Sequence, residues 1–145
     1  MTSLAVEIKE ILEAEAREAL TAGWAEVREE KAEIGLTLHL EPIKLAAAPL
    51  EVYFDSDLLL VCSPGRKDMV CEFFSEDTEE IKRQVQALTA AVVSGGYSER
   101  VQEGTTEIVA EWPGPEGTER ATRTLLALKR PGRESWRAVA YEPYS

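Results

Sequence analysis

The stretch Ile34-Gly35-Leu36-Thr37-Leu38-His39-Leu40-Glu41 decides the fold. Apolar side chains fall on every second residue, and an extended strand is the backbone that gathers such residues on one side. The pattern predicts a strand with one buried face and with His39 on the outer one. Pro42 ends the strand or marks a sheet edge, because it has no N–H to give a neighbour.

The same period recurs downstream. Residues 43–49 read as an irregular connection, after which Leu50, Val52 and Phe54 alternate. Asp55-Ser56-Asp57 turns the chain, and Leu58 to Cys62 makes a near-continuous apolar strand. Ser63 to Asp68 has strong turn chemistry and leads to a strand from Met69 to Phe74.

Upstream the period is helical. Leu4, Ile8, Ile11, Leu12, Ala16, Ala19, Leu20 and Trp24 recur at three- and four-residue spacing, with Thr2 or Ser3 as N-cap. Gly23 would either end this helix or sit inside it at a cost of about 1 kcal/mol relative to alanine. Trp24 and Val27 keep the apolar stripe, so the helix is expected to run to about residue 30. A second helix starts at Asp77, whose spacing to Glu80 resembles a capping box; Ile81, Val85, Leu88 and Val92 form its stripe and Gly95-Gly96 its stop.

A meander follows: one strand within Tyr97 to Trp112 with a bend at Gly104, one from Glu119 to Lys129, and a last one from Trp136 to Tyr141. The expected architecture is a single α+β domain over residues 1–145, a mostly antiparallel sheet with two amphipathic helices on one face in the order α-βββ(β)-α-βββ. Centring the hairpins on Pro113–Gly117 and Pro131–Arg133 pairs Glu111 with Arg120 and puts Ile108, Ala110, Trp112, Ala121, Trp136 and Ala138 on the core side. The opposite, mixed face then carries Arg120, Leu126, Arg137, Val139 and Tyr141, and Arg with aromatic residues is the composition enriched in interface anchors. Tyr144 adds a further exposed aromatic candidate in the tail.

The 145 residues hold 27 acids and 16 bases, for a net charge of -11. The excess is front-loaded: residues 1–33 carry nine acids and four bases, residues 97–145 eight and seven. Such a surface repels phosphate, which argues against nucleic-acid and anionic-lipid partners and leaves open a basic protein partner or a role for the first helix as a nucleic-acid mimic. The N-terminus lacks a basic n-region and an apolar h-region, and no apolar run approaches the ~18 residues of a membrane span. Two cysteines without a secretion signal suit reduced cytosolic thiols, and the absence of Asn with ten Arg against six Lys suits a GC-rich bacterial gene.

The chemical inventory is thin. His39 is the sole histidine, which removes multi-histidine metal sites and histidine relays. Cys62 and Cys71 share the apolar phase across a hairpin centred near Lys67 and read as buried packing thiols. Asp55 and Asp57 lack the later oxygen ligands and glycine of a calcium loop, and no glycine-rich segment builds a phosphate cradle. No cofactor or metal is expected. The residues point to a non-catalytic, cytosolic protein-binding module, such as an immunity-type inhibitor or small chaperone, with self-association through the same face a further option. The alternative is a small-ligand or enzyme domain with an apolar pocket walled by Trp24, Phe54, Phe73 and Trp112.

Overall fold

The computed structural model describes residues 3–31, 33, 35–55, 60–67, 69–73, 77–102, 106–125 and 136–145. Two helical segments, α1 (Ser3–Glu15) and α2 (Arg17–Ala22), precede β1 (Ala25–Lys31), β2 (Gly35–Pro42), β3 (Leu50–Asp55), β4 (Leu60–Pro64) and β5 (Cys71–Phe73). These strands form an antiparallel meander in sequential order. The long helix α3 (Thr78–Ser94) leads to β6 (Ser98–Gln102), β7 (Thr106–Gly114), β8 (Gly117–Leu125) and β9 (Trp136–Ala140), an antiparallel sheet ordered β8-β7-β6-β9. The class is α+β, with three helical segments among the described residues and with the strands divided between two sheets.

The alternation that opens β2 decides its packing. Leu38 and Leu40 are fully buried and align with Val52 and Leu50 of β3, while Val52 aligns with Cys62 of β4 and Cys62 with Cys71 of β5. Burying side chains of this size contributes about 1.5–3 kcal/mol each before conformational entropy is set against it. Ile8 and Leu12 of α1 and Ile81, Val85, Leu88 and Val92 of α3 join the same apolar cluster. Asp77 caps α3 by accepting the Glu79 N–H at 3.0 Å. Thr89, buried mid-helix, donates its hydroxyl to the Val85 carbonyl at 2.7 Å, so no polar atom of that side chain is stranded.

Three expectations are corrected. The first helix stops before Gly23, and residues 25–31 are a strand. Gly23 takes φ +76°, with its N–H on the Leu20 carbonyl and the Trp24 N–H on the Ala19 carbonyl, the paired bonds of a Schellman stop. Trp24 and Val27 kept a helical spacing by coincidence, whereas Ala25, Val27 and Glu29 point inward at period two. Second, the segment from Tyr97 to Trp112 holds two antiparallel strands, β6 and β7, and the bend expected at Gly104 lies outside the described residues. Third, β9 pairs with β6 at the opposite side of the sheet from β8. The pairing of Glu111 with Arg120 and Trp112 with Glu119 is as expected, but the change of neighbour exchanges the faces of β9. Val139 now aligns with Glu99 and Arg137 with Val101, on the side of Ile108 and Ala110, while Trp136, Ala138 and Ala140 look outward.

Gly23 gives a direct check on the helix stop. A Cβ there would meet nothing within 4 Å. Gly23→Ala should therefore cost only the left-handed backbone penalty, about 1–2 kcal/mol, read as a lower urea midpoint with an unchanged slope.

Candidate functional site

Alternation along β6 places Tyr97, Glu99 and Val101 on the core side, so an acidic residue occupies an apolar phase. Glu99 is 1% exposed. The Tyr141 hydroxyl donates to Glu99 Oε1 and accepts the Arg66 N–H at 2.9 Å, tying the β4–β5 turn of one sheet to β6 and the tail of the other. Gly65, at φ +77°, makes room: a Cβ would lie 2.6 Å from Glu99 Oε1 and 2.9 Å from the Tyr141 oxygen. The Tyr97 ring stands 5.7 Å from Tyr141 and 6.2 Å from Trp112, closing an aromatic wall around the acid.

Burial pushes the Glu99 carboxyl above the ordinary carboxylate value, outweighing the Tyr141 hydrogen bond, the Lys67 charge and the nearby Tyr97 hydroxyl. Glu99 Oε2, Tyr97 Oη and Trp112 Nε1 have no hydrogen-bond partner among the described residues. Cys71 is buried beside this cluster, and its thiol is pushed up to about 12, chiefly by burial and then by Glu99. Burial, with a smaller contribution from Cys71, also raises the Cys62 thiol well above its usual value. Both cysteines are free, and both disfavour the reactive thiolate.

Of the five residues expected to form an interface, the four that the structure describes do not share a surface. Arg120 is exposed and, with Arg100, grips Glu111 Oε1 at 3.0 and 2.8 Å on the outer face of the smaller sheet. Arg137 is exposed and Val139 half-buried on the opposite side; Tyr141 is buried in the Glu99 cluster, and Leu126 lies outside the described residues. Tyr144 is also buried, with its hydroxyl on the Ala48 carbonyl at 2.6 Å. Of the four aromatics expected around a pocket, Phe73 and Trp112 do wall a cleft of about 590 Å³ with Cys71 and Ala121, rimmed by Glu72 and Glu119. Phe54 is buried in the core, and Trp24 stands apart from the cleft.

His39 has the outer phase expected of it yet is buried. Its Nε2 lies 2.9 Å from Glu30 Oε2 and its Nδ1 3.3 Å from Glu51 Oε1, so carboxylates from both neighbouring strands cover the ring. Among the described residues no group of three or more His, Cys, Asp or Glu could hold a metal ion.

Trp24 and residues 43–46 supply the feature that sequence reasoning missed. Ile43 is 74% exposed, Leu45 82% and Trp24 38%. Their backbone is nevertheless held: Ile43 N–H bonds the Trp24 carbonyl at 2.8 Å, Arg66 Nε the Leu45 carbonyl at 3.0 Å and Glu142 N–H the Ala46 carbonyl at 2.8 Å. Lys44 reaches the Pro143 and Ser145 carbonyls at 3.2 and 2.5 Å. The chain matches no protein-family model, no curated protein and no solved structure.

The buried acid has a pH signature. The raised Glu99 value means that its contribution to stability is fullest below the ordinary carboxylate range and is lost as pH rises through the raised value. Glu99→Gln keeps an oxygen acceptor for Tyr141 and cannot ionise. Urea unfolding at pH 4 and pH 7 should show the variant gaining on the wild type as pH rises; a difference independent of pH contradicts the assignment.

Proposed function

We propose that the chain is a non-catalytic, cytosolic protein-binding module, acting as an immunity-type inhibitor or small chaperone acts, by covering part of another protein. The observation that supports this reading is the loop at residues 43–46. Large aliphatic side chains in water gain nothing for the isolated chain, while hydrogen bonds from the tail and from Arg66 keep their backbone in place. A contact surface ordered before binding loses less entropy on association. Trp24 beside Ile43 adds the aromatic type that dominates interface energetics. No described helix is long and apolar enough to cross a membrane, and the acidic surface opposes binding to nucleic acid.

A second reading rests on the cleft of about 590 Å³ between Phe73 and Trp112, whose size suits a small ligand and whose lining sets those rings beside the charged Glu72, Glu119, Arg120 and Arg123. One experiment separates the two. Tagged chain expressed in its native host should capture one stoichiometric protein, lost at least tenfold with Trp24→Ala/Ile43→Ser and retained with Ala121→Phe, which fills the cleft. Capture of no protein would favour the ligand reading, and undiminished capture by the first variant would remove the 43–46 loop from the interface.

A further inference from the structure

Resting on the module reading, we infer that the partner is a basic protein surface, which docks across the outer face of the five-stranded sheet with a cationic side chain entering between Glu26 and Glu41. Trp24 and Ile43 continue the outer phase of β1 and β2, because the register that pairs Ala25 with Pro42 and Glu26 with Glu41 sets them on the side opposite Leu38 and Leu40. The apolar tip and the sheet face are therefore one surface, and α1 and α3 pack on the other side of the sheet.

The charge on this face names its occupant. Glu26, Glu30, Glu41, Glu51 and Glu72 occupy the outer phase, against Arg28 as the cation of that phase among the described residues. Glu26 and Glu41 are directly opposed across the strands, an arrangement that is destabilising in an isolated sheet. Neither has an ion-pair partner among the described residues, whereas Glu30 and Glu51 flank His39. The loop cations Lys44 and Arg66 are directed to the carbonyls of the tail and of Leu45. An Arg or Lys from outside would relieve the Glu26–Glu41 repulsion within reach of Trp24 and Ile43. A second copy of this chain fits poorly, since stacking the face on itself would set five carboxylates against five. An anionic lipid surface fails for the same reason.

The probe is an amphipathic helical peptide of Leu and Lys, titrated into the full-length, isotopically labelled chain, with a Leu/Glu peptide of the same pattern and phosphatidylglycerol vesicles as comparisons. The expected result is that the Leu/Lys peptide shifts the amides of residues 24–28, 39–41 and 43–45, while the Leu/Glu peptide and the vesicles do not bind. Glu26→Gln/Glu41→Gln, which removes a repulsion and should fold at least as well, is expected to weaken that binding about tenfold. The inference is overturned by no peptide binding, by shifts centred on Arg100, Glu111 and Arg120, by equal binding of the Leu/Glu peptide or vesicles, or by undiminished affinity of the double variant. A host protein captured through Trp24 and Ile43 but indifferent to Glu26→Gln/Glu41→Gln would overturn this inference alone, whereas capture of no host protein defeats the module reading itself.

Discussion

The Tyr141 hydroxyl stands between two groups that need it: the buried Glu99 carboxyl, to which it donates, and the Arg66 N–H, from which it accepts. Glu99 comes from β6, Arg66 from the β4–β5 turn and Tyr141 from the chain beyond β9, so three distant segments meet at one oxygen. An acid placed here costs desolvation energy that an apolar residue would not, and Glu99 Oε2 gains no compensating partner among the described residues. What the arrangement provides is position. A carboxyl that must be satisfied locks the register of the smaller sheet against the turn of the larger one more specifically than interchangeable methyl groups do.

From that junction the constraint passes along the tail. Glu142 bonds the Ala46 carbonyl, Tyr144 bonds Val93 and Ala48, and Lys44 bonds Pro143 and Ser145. The last residues thus strap α3 to the loop that carries Ile43 and Leu45. Without the strap, a connection with those side chains in water would be expected to collapse onto the sheet or to sample many conformations. With it, an energetically unfavourable surface is held ready, and a surface of that kind is how the fold and the proposed function connect.

How far the sequence carried can be judged at particular residues. The class, the period-two strands around Leu38 and Val52, the stripe of α3 and the pairing of Glu111 with Arg120 were all legible, because each follows from local periodicity or from a turn signal. Gly23 was ambiguous, since Trp24 and Val27 keep the three-residue spacing of a helical stripe, although in the strand that forms they fall on opposite faces. The place of β9 was not legible: a hairpin across Pro131–Arg133 is the local solution, and pairing with β6 is a tertiary choice that flips Tyr141 from surface to core. Two further features are local to the sequence. Glu99 sits in the apolar phase between Tyr97 and Val101, and Pro42 leaves Ile43 and Leu45 beyond the strand with no inward phase to follow. Burial of His39 had no local signal, because the carboxylates that cover it come from β1 and β3.

The tail, the 43–48 loop and the β4–β5 turn form one rigid unit with the two sheets through these hydrogen bonds. Native-state hydrogen exchange at the amides of Arg66, Glu142 and Tyr144 tests it most directly. These amides should open with free energies close to that of Val52 in the middle of the larger sheet. Exchange of Glu142 and Tyr144 orders of magnitude faster than Val52, as at a frayed terminus, would contradict the account.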